Sequence, residues 1–173
     1  RPDRAVPGTA GRGPGRGGGD GLDVRPHPHI NLATVTYLFE GEIMHRDSLG
    51  TAIAIAPGAL NLMTAGRGIA HSERTPAEVR SHGGDVHGMQ TWVALPQRDE
   101  EVAPEFHHHP AATLPVQQRG GARIQLIAGR GFGEEAPVRV FADTFNVALD
   151  LQPDAELAID DDAVERALYV LEG

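Results

Sequence analysis

The chain contains no cysteine. That removes disulfides, thiol nucleophiles and thiolate metal sites together. Lysine is absent too, because all 15 basic residues are arginine, so Schiff-base chemistry is excluded. Aromatic residues make up only 5% of the chain, with a single tryptophan, Trp92. No stretch approaches the ~18 consecutive apolar residues of a membrane-crossing helix, and no signal-peptide core is evident. The expected protein is therefore cytoplasmic, with no membrane association. Positive charge is also in deficit: 24 acidic against 15 basic residues give a net charge of −9. This argues against direct nucleic-acid binding, which needs a basic surface to neutralise phosphates.

What the chain has in quantity is turn-forming residues, with 22 glycines and 13 prolines in 173 residues. Residues 1–20 are dominated by Gly, Arg and Pro and read as a flexible tail. From Asp20 to about Trp92 the apolar residues come in short Val-, Ile- and Thr-rich stretches cut by Gly, Pro, Asn and Asp. Strands at this spacing, with no 3.6-residue periodicity, predict an all-β sandwich or barrel. Glu40-Gly41-Glu42, Pro57-Gly58 and Gly66-Arg67-Gly68 read as tight connections. Residues 96 to about 119 carry four prolines and read as an extended crossing segment. Strand patterning resumes in ARIQLIAG, VRVFADTFNVALDLQP and AELAID. The closing Tyr169-Val170-Leu171-Glu172-Gly173 repeats the pattern of Tyr37-Leu38-Phe39-Glu40-Gly41 and reads as a weak internal repeat.

Two short pairs of metal-ligating residue types stand out, His27-Pro28-His29 and His71-Ser72-Glu73. Each has i, i+2 spacing, and on a strand such residues point to one face. Two such strands facing each other could then close a site of three histidines and one glutamate. Ligation by nitrogen and oxygen suits one divalent transition-metal ion such as Fe, Mn, Ni, Cu or Co better than a structural zinc; the expected ion is Fe, with Cu, Mn, Ni, Co or Zn possible.

Residues 21–41 read G-x5-H-x-H-x11-G through Gly21, His27, His29 and Gly41, which resembles the first motif of the cupin superfamily. The glutamate common in that motif is missing, since Ala33 and Thr34 occupy its place. The segments RPHPHINLATVTYLFEGEIMHRDSLG, PGALNLMTAGRGIAHSER and HGMQTWVALP closely resemble the pirin family of bicupins, from about Gly21 to Gly173. The resemblance implies a jelly-roll β-sandwich. It also implies a single metal held by His27, His29, His71 and Glu73, with Glu73 additionally the candidate catalytic group. It implies no organic cofactor. The chain departs from the family in having Ile30-Asn31 where Arg-Gly is usual, in lacking a clear N-terminal strand, and in stopping early in the second cupin. The expected organisation is a tail over 1–20, a metal-binding cupin with the crossing segment over 21–119, and strands over 120–173 that complete the first sandwich and begin a truncated second.

The remaining histidines read as structural. His45 is expected to bond with Arg46 and Asp47, His82 and His87 to support the following strand, and His107-His108-His109 to be a solvated run. Met63, Leu62, Trp92 and Phe39 are expected in the core, Glu40 and Asp47 in exposed turns. Some pirins are quercetin 2,3-dioxygenases, so the resemblance implies a dioxygenase acting on a flavonol-like aromatic substrate with dioxygen. The alternative it implies is a metal- or redox-dependent regulatory protein of the transcriptional co-regulator type, binding a protein partner. Either is compatible with a monomer or a dimer.

Overall fold

The computed structural model describes residues 5–6, 10–12, 21–81, 85–159 and 165–173, with side chains from residue 21 onward. The chain forms two compact units, Arg1–Thr113 and Leu114–Gly173. Among the described residues the first unit holds ten strands: β1 (Ala5–Val6), β2 (Ala10–Arg12), β3 (Asp23–His29), β4 (Leu32–Glu40), β5 (Ile43–Asp47), β6 (Ala52–Ile55), β7 (Leu60–Thr64), β8 (Ile69–Arg74), β9 (His87–Ala94) and β10 (Glu105–His109). One helical turn, α1 (Ala77–Arg80), follows β8. All strand pairs are antiparallel.

These strands make two sheets. One runs β1-β9-β4-β7-β10, with β2 also on β9; the other runs β3-β8-β5-β6. Their apolar faces share cores. Leu38 of β4 packs with Ile43 and Ile55 of the opposite sheet, and Met63 of β7 packs with Ile69 of β8. Removing each such side chain from water contributes roughly 1.5–3 kcal/mol. The all-β, cupin-like sandwich expected from the strand spacing is what forms.

The connections explain the glycines. Gly41 joins β4 to β5 at φ +81°. Gly66 sits at φ +49° in the β7–β8 turn, and a Cβ there would run into the Val102 carbonyl, which already accepts the Arg67 N–H at 3.0 Å. Asn31 takes φ +62° in the two-residue link between β3 and β4. Asn is one of the few residues that tolerates this conformation in place of glycine, so the Ile30-Asn31 departure keeps the turn.

Several expectations change. Within residues 1–20, Ala5–Val6 and Ala10–Arg12 pair with β9 rather than trailing free, because β9 offers an edge; the rest of that stretch lies outside the described residues, as does His82. The His107–His109 run is strand β10, hydrogen-bonded along β7, and not a solvated segment. The second unit has β11 (Val116–Arg119), β12 (Ala122–Gly131), β13 (Glu134–Glu135) and β14 (Phe145–Leu151). β11 pairs with β12, so the second unit begins before residue 120, and the first unit's sheets are made by strands up to His109. Its core joins Ala122, Ile124 and Phe132 with Phe145, Val147 and Leu149. VRVF, AELAID and the 169–173 segment form no strand among the described residues. Leu168, Tyr169 and Val170 are exposed, so among the described residues the 169–173 segment repeats the text of 37–41 without its strand.

Candidate metal centre

The site grows from four i, i+2 pairs on four strands: His27/His29 on β3, His45/Asp47 on β5, His71/Glu73 on β8 and Gln90/Trp92 on β9. Alternation along each strand points both members of a pair to one face. Register then aligns the pairs: His27 lies opposite His71, His71 opposite Asp47, and Glu73 opposite His45. Directly opposed residues share a face, so the three pairs of this sheet converge.

β3 brings its histidines in by two devices. It is an edge strand, which is where Pro26 and Pro28 can sit without removing a ladder bond from a central strand. It also carries a register shift between Val24 and His27. The extra residue is a bulge, and bulges re-aim side chains. The outcome is three imidazoles in mutual contact, with ring centroids 4.5 Å apart for His27–His71, 4.8 Å for His27–His29 and 5.0 Å for His29–His71.

The nitrogens decide what this cluster is for. His71 is 2% exposed, yet neither of its ring nitrogens has a hydrogen-bond partner, and His29 Nε2 is buried and unpartnered as well. Burying polar atoms without partners costs about 1–3 kcal/mol each, and a bound cation removes that penalty. His27 Nδ1 lies 2.8 Å from the Arg25 carbonyl. A carbonyl only accepts, so Nδ1 carries the proton and Nε2 presents its lone pair, the arrangement metal-binding histidines adopt. Burial, helped by the neighbouring His27, His45 and His29, lowers the His71 pKa to about 3. Burial and then His27 lower that of His29. Both rings are thus neutral and free to donate a lone pair.

Ligand atoms of His27, His29 and His71 lie within 4.8 Å of one another, and so do those of His45, His71 and Glu73. His71 belongs to both groups. The residues fit a divalent transition-metal ion by donor type and by their orphaned nitrogens. Glu73 is buried and held from the opposite sheet: Gln90 Nε2 donates to Oε1 at 2.9 Å and Oε2 at 3.0 Å, and the Thr36 hydroxyl donates to Oε1 at 3.4 Å.

Sequence reasoning left Gln90 unnamed and expected Asp47 in an exposed turn and Trp92 in the core, whereas the expected bond between His45 and Asp47 does form. His45 bonds Asp47, Nε2 to Oδ2 at 3.0 Å, and stacks on Phe106 with centroids 4.2 Å apart. The Asp47 side chain is fully buried, not an exposed turn group. Burial pushes its carboxyl up, but the His45 bond and the N–H groups of Thr51 and Leu49 outweigh that and hold it below the usual carboxylate range. Trp92, expected in the core, is 44% exposed; its ring stands edge-on to His29 at 5.1 Å. The signal that could have found all three was the same i, i+2 spacing that found the ligands. His87, as expected, is structural and packs on Phe39; Leu62 and Met63 are core.

A face-to-face β-sandwich with imidazoles and a carboxylate gathered between its sheets defines a cupin-type protein with a candidate His/Glu metal site. Comparison with known proteins is more particular. The Pirin family pattern matches residues 9–93. A pirin-like protein from Caulobacter vibrioides is 51% identical over 87% of this chain and 52% of its own length, and Pirin-1 of Arabidopsis thaliana is 32% identical over 75% and 43%. The crystal structure of a quercetin 2,3-dioxygenase from Acinetobacter baumannii superposes with a TM-score of 0.72 at 39% identity, over 80% of this chain and 44% of that one. A Geobacillus kaustophilus protein gives 0.67 at 32%, over 75% and 50%. The chain belongs to the pirin family. It spans about half the length of the curated relatives it matches.

Proposed function

We propose that the protein is a metal-dependent dioxygenase of the quercetin 2,3-dioxygenase type, acting on a flavonol-like aromatic substrate. The observation that carries this reading is the set of buried, unpartnered imidazole nitrogens on His29 and His71, with His71 also grouped with the carboxylate of Glu73. Likeness to the Acinetobacter baumannii quercetin 2,3-dioxygenase supports the choice of chemistry. His27, His29, His71 and Glu73 would hold one divalent ion, iron first among the candidates. When bound, such an ion supplies Lewis acidity and redox chemistry toward dioxygen.

The chain's own residues have separate tasks. Neutral imidazoles donate lone pairs because burial keeps them unprotonated. The Glu73 carboxylate accepts the proton of a substrate hydroxyl, and general base catalysis requires it to be held in place. Its bonds to Gln90 and Thr36 do that. Trp92 offers a half-exposed aromatic face next to His29 on which a planar ring can stack. Burial of His71 and Glu73 limits water at the carboxylate.

Metal analysis together with oxygen uptake tests the reading. Metal-loaded protein should consume oxygen with quercetin well above the rate of the free ion, and His71→Ala should lose both metal and uptake. Tight metal binding with no uptake above the free ion would reject the enzyme and leave the regulatory, partner-binding reading.

A further inference from the structure

Gln90 stands between the buried carboxylate and the exposed rim. Its Nε2 lies 2.9 and 3.0 Å from the two Glu73 oxygens and 3.0 Å from the Thr36 hydroxyl, while its Oε1 accepts the Trp92 Nε1–H at 3.1 Å. The two ends of the amide are not interchangeable here. Turned over, the amide would set its oxygen against the Glu73 carboxylate and its NH2 against the indole N–H. That would place an acceptor against an acceptor at one end and a donor against a donor at the other. Trp92 and Glu73 therefore demand the same orientation of one side chain.

We propose that Gln90 is a positioning residue for Glu73 and that Trp92 sets its orientation, so that the rim indole and the carboxylate respond as one unit. A ring stacking on Trp92 then adjusts the carboxylate through two hydrogen bonds, and an ion gained by the site is felt at the rim. The proposal rests on Glu73 being a metal ligand and is independent of the dioxygenase reading.

Trp92 is the only tryptophan in the chain, so its fluorescence reports on the rim without interference. Zn(II), which does not quench through unpaired electrons, is titrated against a competing chelator into metal-free protein. The variants are Glu73→Gln, Gln90→Leu, Gln90→Glu, Trp92→Phe and the Gln90→Leu/Trp92→Phe pair. Gln90→Leu should weaken Zn(II) binding about tenfold, the scale of an outer partner of a metal ligand. Trp92→Phe, which keeps a ring and loses the N–H, should weaken it roughly threefold, the scale of one neutral hydrogen bond. The pair should be no weaker than Gln90→Leu alone. Trp92 emission should shift on Zn(II) binding in the unaltered protein, and the shift should be smaller in Gln90→Leu, where only the direct Trp92–His29 contact remains.

Additive losses in the pair, or an emission shift undiminished in Gln90→Leu, would overturn the proposal. If Gln90→Leu does not fold, Gln90→Glu and Trp92→Phe decide. Gln90→Glu puts an acceptor against Glu73 and should weaken binding more than Trp92→Phe, and unchanged affinity in both would overturn the coupling. Loss of affinity in Glu73→Gln with none in Gln90→Leu would sink this inference alone. No loss in Glu73→Gln would sink the ligand assignment beneath it.

Discussion

Two histidine-rich regions of the first unit invite comparison. His27, His29 and His71 are scattered along the chain, whereas His107, His108 and His109 are consecutive on β10. The scattered set converges, because each member sits at an alternate position on one of two paired strands. Consecutive residues on a strand point to opposite faces, so the run is divided. His108 lies opposite Asn61 and bonds its Oδ1 at 2.8 Å, and His107 Nε2 lies 3.2 Å from Glu105 Oε2. Local density of histidine is therefore a poor guide to a metal site. His109 Nε2 is buried and unpartnered as well, so an orphaned nitrogen does not by itself mark a site; several imidazoles sharing one face across paired strands are the better guide.

Removing the hub breaks the comparison most sharply. His71 is common to both candidate ligand groups, so His71→Ala should abolish stoichiometric metal retention. The loss of affinity should exceed the roughly 10–100-fold typical of an outer partner, as read by metal analysis after dialysis. Glu73→Gln keeps shape and loses the ligand's charge; its loss of affinity should exceed the roughly tenfold of Gln90→Leu, an outer partner, measured by chelator competition.

Acid tests the same cluster. Burial lowers the His71 pKa from 6.5 to about 3, so below pH 6.5 the unfolded ring binds a proton that the folded ring refuses. Linkage then gives stability that is full above about pH 6.5 and falls as pH drops toward 3. The melting temperature of the metal-free protein should fall by roughly 5 °C or more across that window, with a flatter profile in His71→Asn, by calorimetry. The smallest effect is expected at β10. Replacing His107 and His109 by Ala should leave metal content unchanged, and His108→Ala should cost about 1 kcal/mol through the lost Asn61 bond, read by denaturant titration. Loss of metal in any of these three would erase the distinction between the two regions.

Much of the fold could be read in advance, for physical reasons. Period-two text between Gly and Pro turns can only be satisfied by short strands, and His-x-His with His-x-Glu can only face one way on such strands. Other features depended on partners far along the chain. Trp92 looks like core by residue type, yet its place on β9 leaves it half-exposed beside His29. Asp47 looks like a turn residue, yet the N–H groups of Leu49 and Thr51 and the His45 ring enclose its carboxylate. Residues 169–173 carry strand-like text without forming a strand, because a strand needs a neighbour's hydrogen bonds as well as its own propensity.

By itself the sequence determined which donors are available and which of them share a face, since alternation is a local property of an extended backbone. The tertiary structure decided which faces meet. The bulge in β3, the registry of β3, β8 and β5, and the approach of Gln90 from the opposite sheet bring the donors together. Each depends on pairing between distant segments, and burial then leaves His29 Nε2 and both His71 nitrogens without protein partners and their rings neutral.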